Sequence, residues 1–108
     1  MKIINNIEKE INLLKKEREK YVTAESWDYR YRYYTLTGKI DILKDLLRFR
    51  KIKLKDVETL KLEIQKKYKK IRMIPKHKRN EYQYLDGIYL EGKLDIIDKW
   101  IMPELSKE

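Results

Sequence analysis

Basic side chains are the residues of this chain whose types and spacing most clearly predict a chemistry, the binding of phosphate groups. Residues 48–79 contain 14 Lys and Arg and three acids, a net charge of +11, whereas the whole chain of 108 residues carries +9. Phosphate contacts by Lys and Arg give an affinity that is independent of sequence and falls as salt is added. The predicted phosphate-binding residues in this segment are Arg48, Arg50, Lys51, Lys53, Lys66, Lys67, Lys69, Lys70, Arg72, Lys76, Lys78 and Arg79.

A second candidate stretch interleaves aromatic and basic residues, WDYRYRYY at 27–34. Aromatic rings next to arginines suit stacking on unpaired bases, and Tyr, Trp and Arg are equally typical of protein interfaces. Tyr29, Tyr31 and Tyr33 also suit helix packing. Helical spacing places Arg30 and Tyr34 on the polar face, so these two are the predicted contact residues.

Two classes of partner fit this charge distribution. The leading hypothesis is a small non-enzymatic regulatory protein that binds nucleic acid, DNA or RNA, through the basic face. The alternative is an inhibitor or adaptor that docks on an acidic protein surface. A solvated basic face without a specific partner is the third interpretation.

Catalysis finds little support in the residue types. His77 is the only histidine and there is no cysteine, so paired histidine ligands and thiolate sites are excluded. There is no glycine-rich phosphate loop and no Ser-His-Asp set. We therefore expect no enzyme activity, no metal and no cofactor.

One short motif points to a different class. RMIPKH, from Arg72 to His77, resembles the Arg-x4-His motif of HEPN-type ribonucleases, which are small helical proteins. The resemblance implies that the two residues polarise a phosphodiester and transfer a proton. It covers six residues; Pro75 interrupts the helix between the pair, and Met73 stands where that family tends to carry a polar residue.

The elements that position these residues follow a repeat. At an offset of 54, TLTGKIDILKDLL at 35–47 matches YLEGKLDIIDKWI at 89–101, including Gly38 with Gly92. A repeat of this length is usually one supersecondary unit, here a helical hairpin. The predicted organisation is a single domain with repeat 1 at about 2–49, a basic connector at 48–55 and repeat 2 at about 56–102.

Apolar periodicity predicts an all-α bundle of four helices. They span about 2–22, 27–49, 57–73 and 81–101. Ser26, Asp56 and Asn80 are the predicted N-caps, with Gln83 completing a capping box. Pro75 is expected to end the third helix and Pro103 the fourth.

The second and fourth helices each show two apolar stripes, which indicates two neighbours. Either they are central in the bundle or the second stripe meets another chain. A glycine inside a helix costs about 1 kcal/mol relative to Ala, so Gly38 and Gly92 predict a close helix crossing, within one chain or across a homodimer. Ile42, Ile96 and Trp100 share this second stripe, and we expect the protein to form a homodimer.

The remaining predictions concern the compartment. The N-terminal residues lack the pattern of a secretory signal, and no apolar run approaches the ~20 residues of a membrane span. We expect a cytoplasmic protein without membrane contact. Its size, charge and helical content resemble those of small phage or mobile-element regulators.

Overall fold

Four long helices build the protein. The computed structural model describes residues 2–23 and 25–107, and shows α1 at Lys2–Glu19, α2 at Trp27–Leu46, α3 at Leu54–Arg72 and α4 at Glu81–Ile96. No strand occurs within these ranges. The prediction of an all-α, bundle-like fold is confirmed.

The helices pair as two antiparallel hairpins joined through their second members. α1 contacts α2, α3 contacts α4, and α2 contacts α4. Arg30 pairs with Glu81 near the start of α2 and α4, and Lys39 pairs with Asp95 further along both. These pairs advance together in both helices, so α2 and α4 run in the same direction. The two apolar stripes of each central helix therefore face two helices of the same chain.

The two glycines lie where α2 and α4 cross. A Cβ at Gly38 would overlap the carbonyl oxygen of Tyr89 and lie 3.3 Å from the backbone nitrogen of Lys93, and a Cβ at Gly92 would overlap the carbonyl oxygen of Thr35. Both glycines are buried. The close approach is thus made within one chain, and neither glycine offers a surface to a second copy.

The contacts between α2 and α4 occur in equivalent pairs. When a residue of α2 contacts a residue of α4, the position 54 residues after the first contacts the position 54 residues before the second. Gly38 meets position 89 and Gly92 meets position 35. The pair Arg30–Glu81 likewise corresponds to Tyr84–Trp27, whose ring centroids are 6.5 Å apart. The hairpins are therefore arranged about an approximate two-fold axis. Their origin by duplication stays a prediction.

Local hydrogen bonds start two of the helices where the sequence predicts. Ser26 accepts from the N–H of Tyr29, and Asn80 forms a reciprocal capping box with Gln83. The predicted cap at Asp56 is wrong. α3 begins at Leu54 after Lys53, which makes no side-chain capping bond, so Asp56 lies in the first turn. An acid is favourable there because it faces the positive end of the helix dipole.

The end of the fourth helix differs most from prediction. After α4 the chain continues through a π-helical turn at Ile97–Ile101 into α5 at Met102–Ser106. Pro103 does not stop the helix. It occupies the first turn of α5, where a missing N–H costs little, and the wider π turn precedes it. Smaller errors are the ends of the first and second helices, which stop at Glu19 and Leu46 instead of 22 and 49.

The core is made almost entirely of aliphatic side chains. The most deeply buried include Ile7, Ile40, Leu43, Ile97 and Ile101. No polar or charged residue is fully buried in the described part of the chain. Among the helices that the structure describes, none combines the length and apolarity that crossing a membrane requires.

Candidate nucleic-acid interface

One end of the bundle gathers most of the exposed large hydrophobic side chains. This turn end contains the α1–α2 and α3–α4 connections, so α1 and α3 finish here and α2 and α4 begin here. Of the eight such side chains in the described residues, five lie at this end: Val22, Trp27, Tyr31, Met73 and Tyr82, with exposed fractions from 44% to 81%. Exposed apolar groups clustered in this way mark interaction sites more often than singly scattered ones do.

An aromatic–basic groove opens between α2, α3 and α4 at the turn end. Its volume is about 280 Å³, and its lining includes Trp27, Tyr31, Tyr68, Arg72, Lys76, Arg79 and Tyr84. Two of the rings are held in place: the Tyr84 hydroxyl donates to the carbonyl of Lys76 at 3.0 Å, and the Tyr68 hydroxyl donates to Glu91. Burial, and next the bond to Glu91, raises the pKa of Tyr68. Trp27 and Tyr31 remain half exposed.

The cations beside this groove are not neutralised within the protein. None of the eight Lys and Arg from Lys66 to Arg79 forms an ion pair with any described residue. Lys61, earlier on α3, does form an ion pair and lies 2.6 Å from Asp98. The last two turns of α3 and the connection that follows thus carry eight cations and no ion pair.

Arg72 and Arg79 differ in how much of each guanidinium is available. Arg79 donates through Nε to the carbonyl of Ile74 at 2.8 Å and through Nη2 to that of Arg72 at 3.1 Å, and it lies over the ring of Tyr84. It therefore holds the α3–α4 connection in shape. Arg72 is exposed and lies over the ring of Tyr68. Lys76 and Lys78 are exposed on a short 3₁₀ turn.

The predicted basic face is split into two groups by the length of α3. Arg48, Arg50, Lys51 and Lys53 lie exposed in the α2–α3 connection, before the first residue of α3. Lys66, Lys67, Lys69 and Lys70 lie exposed on its last turns. A helix of 19 residues is about 27 Å long, so the two groups occupy opposite ends of the bundle. The groove that holds the exposed rings of Trp27 and Tyr31 lies at the end of the second group, where Arg72, Lys76 and Arg79 line it.

Arg30 and Tyr34 are placed differently from the prediction. Instead of lying on an open polar face, they are half-buried because the first turn of α4 packs beside them, and Arg30 is ion-paired with Glu81. They line a tyrosine groove of about 440 Å³, together with Tyr21, Val22, Tyr33, Glu81, Tyr82 and Leu85. Tyr31, whose spacing suits helix packing, is more exposed than Tyr34.

The remaining residues assigned to a helix crossing or dimer lie in the core of the single chain. Ile42 and Ile96 are buried, and Trp100 is half-buried against the core. They therefore support the α2–α4 crossing and the adjoining packing. A homodimer stays a prediction.

Arg72 and His77 lie on two different elements. Arg72 ends α3 over Tyr68, whereas His77 is exposed on the 3₁₀ turn that Pro75 introduces. Pro75, which departs from the HEPN pattern, therefore lies between the helix that carries Arg72 and the turn that carries His77. Within the described residues, no group of His, Asp or Glu is arranged to hold a metal ion.

A polar cluster lies beside the glycine crossing. The Tyr89 hydroxyl donates to Asp41 at 2.6 Å, and Lys93 lies 4.5 Å from the centre of the Tyr89 ring. Burial, and next the bond to Asp41, raises the pKa of Tyr89. Burial lowers the pKa of Lys93, against the pull of Asp45 and Asp41. This cluster belongs to the packing of α2 on α4 and lies away from the exposed rings.

Sequence reasoning missed Tyr68 and Tyr84 as groove residues and underrated Trp27 and Tyr31. The signal was present in part, because Trp27 begins α2 and Tyr84 stands three positions into α4. With the two helices parallel, their first turns meet, which brings these rings together.

No protein-family model, curated protein or solved structure gives a significant match to this chain.

Proposed function

We propose that this protein is a non-enzymatic nucleic-acid-binding protein whose interface is the turn end, with unpaired bases stacked in the aromatic–basic groove. One observation carries the proposal. Arg72, Lys76 and Arg79 form no ion pair with a described residue, and they line the same groove as the half-exposed rings of Trp27 and Tyr31. Proteins that hold single strands combine these two features, a positive groove for the backbone and rings for the bases.

The aromatic rings favour a single strand over a duplex. In a duplex the bases are already stacked and paired, so Trp27 and Tyr31 would meet only the backbone. In a single strand the bases are free to stack on each ring, an interaction worth about 1–3 kcal/mol per base. Arg72 and Lys76 line the groove, and Lys69, Lys70 and Lys78 are exposed within a few residues of them, so in this proposal these five contact the phosphates between such bases.

The basic group in the α2–α3 connection, Arg48 to Lys53, extends the same proposal. It lies about 20 Å or more along α3 from the group that begins at Lys66. A longer strand leaving the groove along α3 would pass between the two groups. Affinity should therefore rise with oligonucleotide length until both groups are engaged.

The test is fluorescence anisotropy with labelled single-stranded RNA, single-stranded DNA and a duplex, each at two salt concentrations. We expect single strands to bind more tightly than the duplex. Trp27→Ala and Tyr31→Ala should each weaken single-strand binding by about 5- to 150-fold, the equivalent of 1–3 kcal/mol. Leu62→Ala removes an exposed apolar side chain on α3 outside the groove and should leave affinity unchanged.

Three results would contradict the proposal. Absence of binding at low salt removes nucleic acid as the ligand and favours an acidic protein surface. Binding of single strands and duplex alike, unaffected by Trp27→Ala and Tyr31→Ala, shows a polyanion contact without stacking. Cleavage of RNA that disappears in His77→Ala would place the protein among ribonucleases instead.

A further inference from the structure

The two grooves at the turn end are counterparts about the approximate two-fold axis. Three residues of α2 in the tyrosine groove correspond, at the 54-residue offset, to residues of α4 in the aromatic–basic groove: Arg30 to Tyr84, Tyr33 to Gly87 and Tyr34 to Ile88. Two residues of α2 in the aromatic–basic groove correspond in the same way to residues of α4 in the tyrosine groove: Trp27 to Glu81 and Tyr31 to Leu85. The same backbone frame is thus presented twice, on the two sides of the α2–α4 contact. A strand lying across this end of the bundle would meet both grooves.

The side chains of the two grooves differ in a chemically specific way. Where the aromatic–basic groove has the ring pair Trp27 and Tyr84, the tyrosine groove has the ion pair Arg30 and Glu81. The tyrosine groove still supplies rings: Tyr34 lines it and Tyr82 is 81% exposed at its rim. It therefore offers stacking faces together with one donor group and one acceptor group.

From this difference we infer that the tyrosine groove binds an unpaired guanine base of the strand held in the aromatic–basic groove. The inference rests on the proposed function and adds base selectivity to it. The first groove has mainly rings and cations, which suit any base. The second has polar groups fixed to each other, which suit a base whose edge carries donors beside an acceptor.

Guanine is the base whose edge matches this pair. The Arg30–Glu81 hydrogen bond uses Nη1 of the guanidinium and Oε1 of the carboxylate. Oε2 and the other guanidinium N–H groups lie outside that bond. Guanine presents two neighbouring N–H donors beside the O6 acceptor, so its donors fit the Glu81 carboxylate and its O6 fits the Arg30 guanidinium. Recognition of unpaired bases through such edges, with a ring stacked on the face, is usual for single-stranded RNA.

The other bases fit less well. Uracil has one N–H donor between two acceptors, and cytosine and adenine each have one amino donor beside an unprotonated ring nitrogen. Each of these bases therefore leaves the Glu81 carboxylate with a single donor. A site built on two polar partners discriminates against a base that lacks one of the matching groups by about 10-fold or more.

The test uses three labelled 12-nucleotide RNAs: oligouridylate, and the same strand with one central guanine or one central adenine. Anisotropy titrations should show the guanine strand binding about 10-fold tighter than the other two. Glu81→Gln and Tyr82→Ala should abolish this preference while oligouridylate still binds. Both side chains are exposed, so neither change should unfold the protein, and circular dichroism checks this.

Two control variants separate this inference from the proposed function. Asp86→Asn removes one exposed acid of α4 outside both grooves and should keep the guanine preference. Trp27→Ala should weaken all three RNAs and also keep it. Equal binding of the three RNAs overturns the guanine site and leaves the proposed function standing. A guanine preference that survives Glu81→Gln also overturns the guanine site and leaves the proposed function standing. Failure of all three RNAs to bind overturns both.

Discussion

Gly38 packs directly against the backbone carbonyl of Tyr89, and this contact sets how α2 and α4 meet. Its counterpart, Gly92 on Thr35, repeats the contact with the helices exchanged. Because the first turns of α2 and α4 are brought together by this crossing, the grooves at the turn end depend on it. The packing of the glycines and the proposed binding site are therefore parts of one arrangement.

Alanine at either crossing glycine should destabilise the protein. In Gly38→Ala or Gly92→Ala the new methyl group would overlap a carbonyl oxygen of the facing helix, so the backbones must move apart. Overpacking of this kind costs about 1–3 kcal/mol, and we expect the upper part of that range, measured by urea denaturation.

Gly87→Ala is the matched control for this prediction. It lies in the same helix as Gly92, and a Cβ there would meet only a methyl group of Ile71 at 3.7 Å, an ordinary contact. The gain in helix propensity, up to about 1 kcal/mol, should make this variant as stable as the parent or more so. Equal destabilisation by all three substitutions would show that the glycines have no special role in the crossing.

Tyr89→Phe should cost about 1.5 kcal/mol at neutral pH, because it removes a hydrogen bond to the Asp41 carboxylate. The cost should shrink at alkaline pH. The folded-state pKa of Tyr89 is raised above its ordinary value of 10.0, so above that pH the unfolded chain loses the proton first and the stabilisation is lost. Denaturation of both proteins from pH 7 to 11 measures this difference, and a constant gap across the range would argue against it.

Asn80→Ala should cost about 1 kcal/mol, because Asn80 and Gln83 satisfy each other's backbone N–H at the start of α4. The loosened first turn should also weaken binding at the turn end. Asn12→Ala is the control: Asn12 is exposed inside α1, where alanine is the better helix former. Thermal melts of the two variants should therefore shift in opposite directions.

Lys69→Gln combined with Lys70→Gln should weaken single-strand binding and flatten its salt dependence. Each phosphate contact that is removed should reduce the slope of log affinity against log salt by about 0.7. Lys9→Gln with Lys44→Gln changes the net charge equally, at exposed positions far from the turn end, and should change the slope little. A similar weakening in both double variants would mean that affinity follows net charge alone.

Local features of the fold were predictable from sequence, and features that depend on helix packing were not. The starts of α2 and α4 follow from Ser26 and Asn80, whose side chains bond to backbone within three residues. The passage of the helix through Pro103 depends on a π turn that no local pattern predicts. The basic segment was evident, but its division between two ends of α3 and its pairing with Trp27 required the parallel arrangement of α2 and α4.

The measurement that tests the central claim most directly is the fluorescence of Trp27 on titration with a single-stranded oligonucleotide. In a Trp100→Phe background Trp27 is the only tryptophan, and its ring is half exposed in the groove. Stacking of a base predicts quenching that saturates with the same affinity as anisotropy and is reversed by salt. A complex that forms by anisotropy while Trp27 emission stays unchanged would contradict the account.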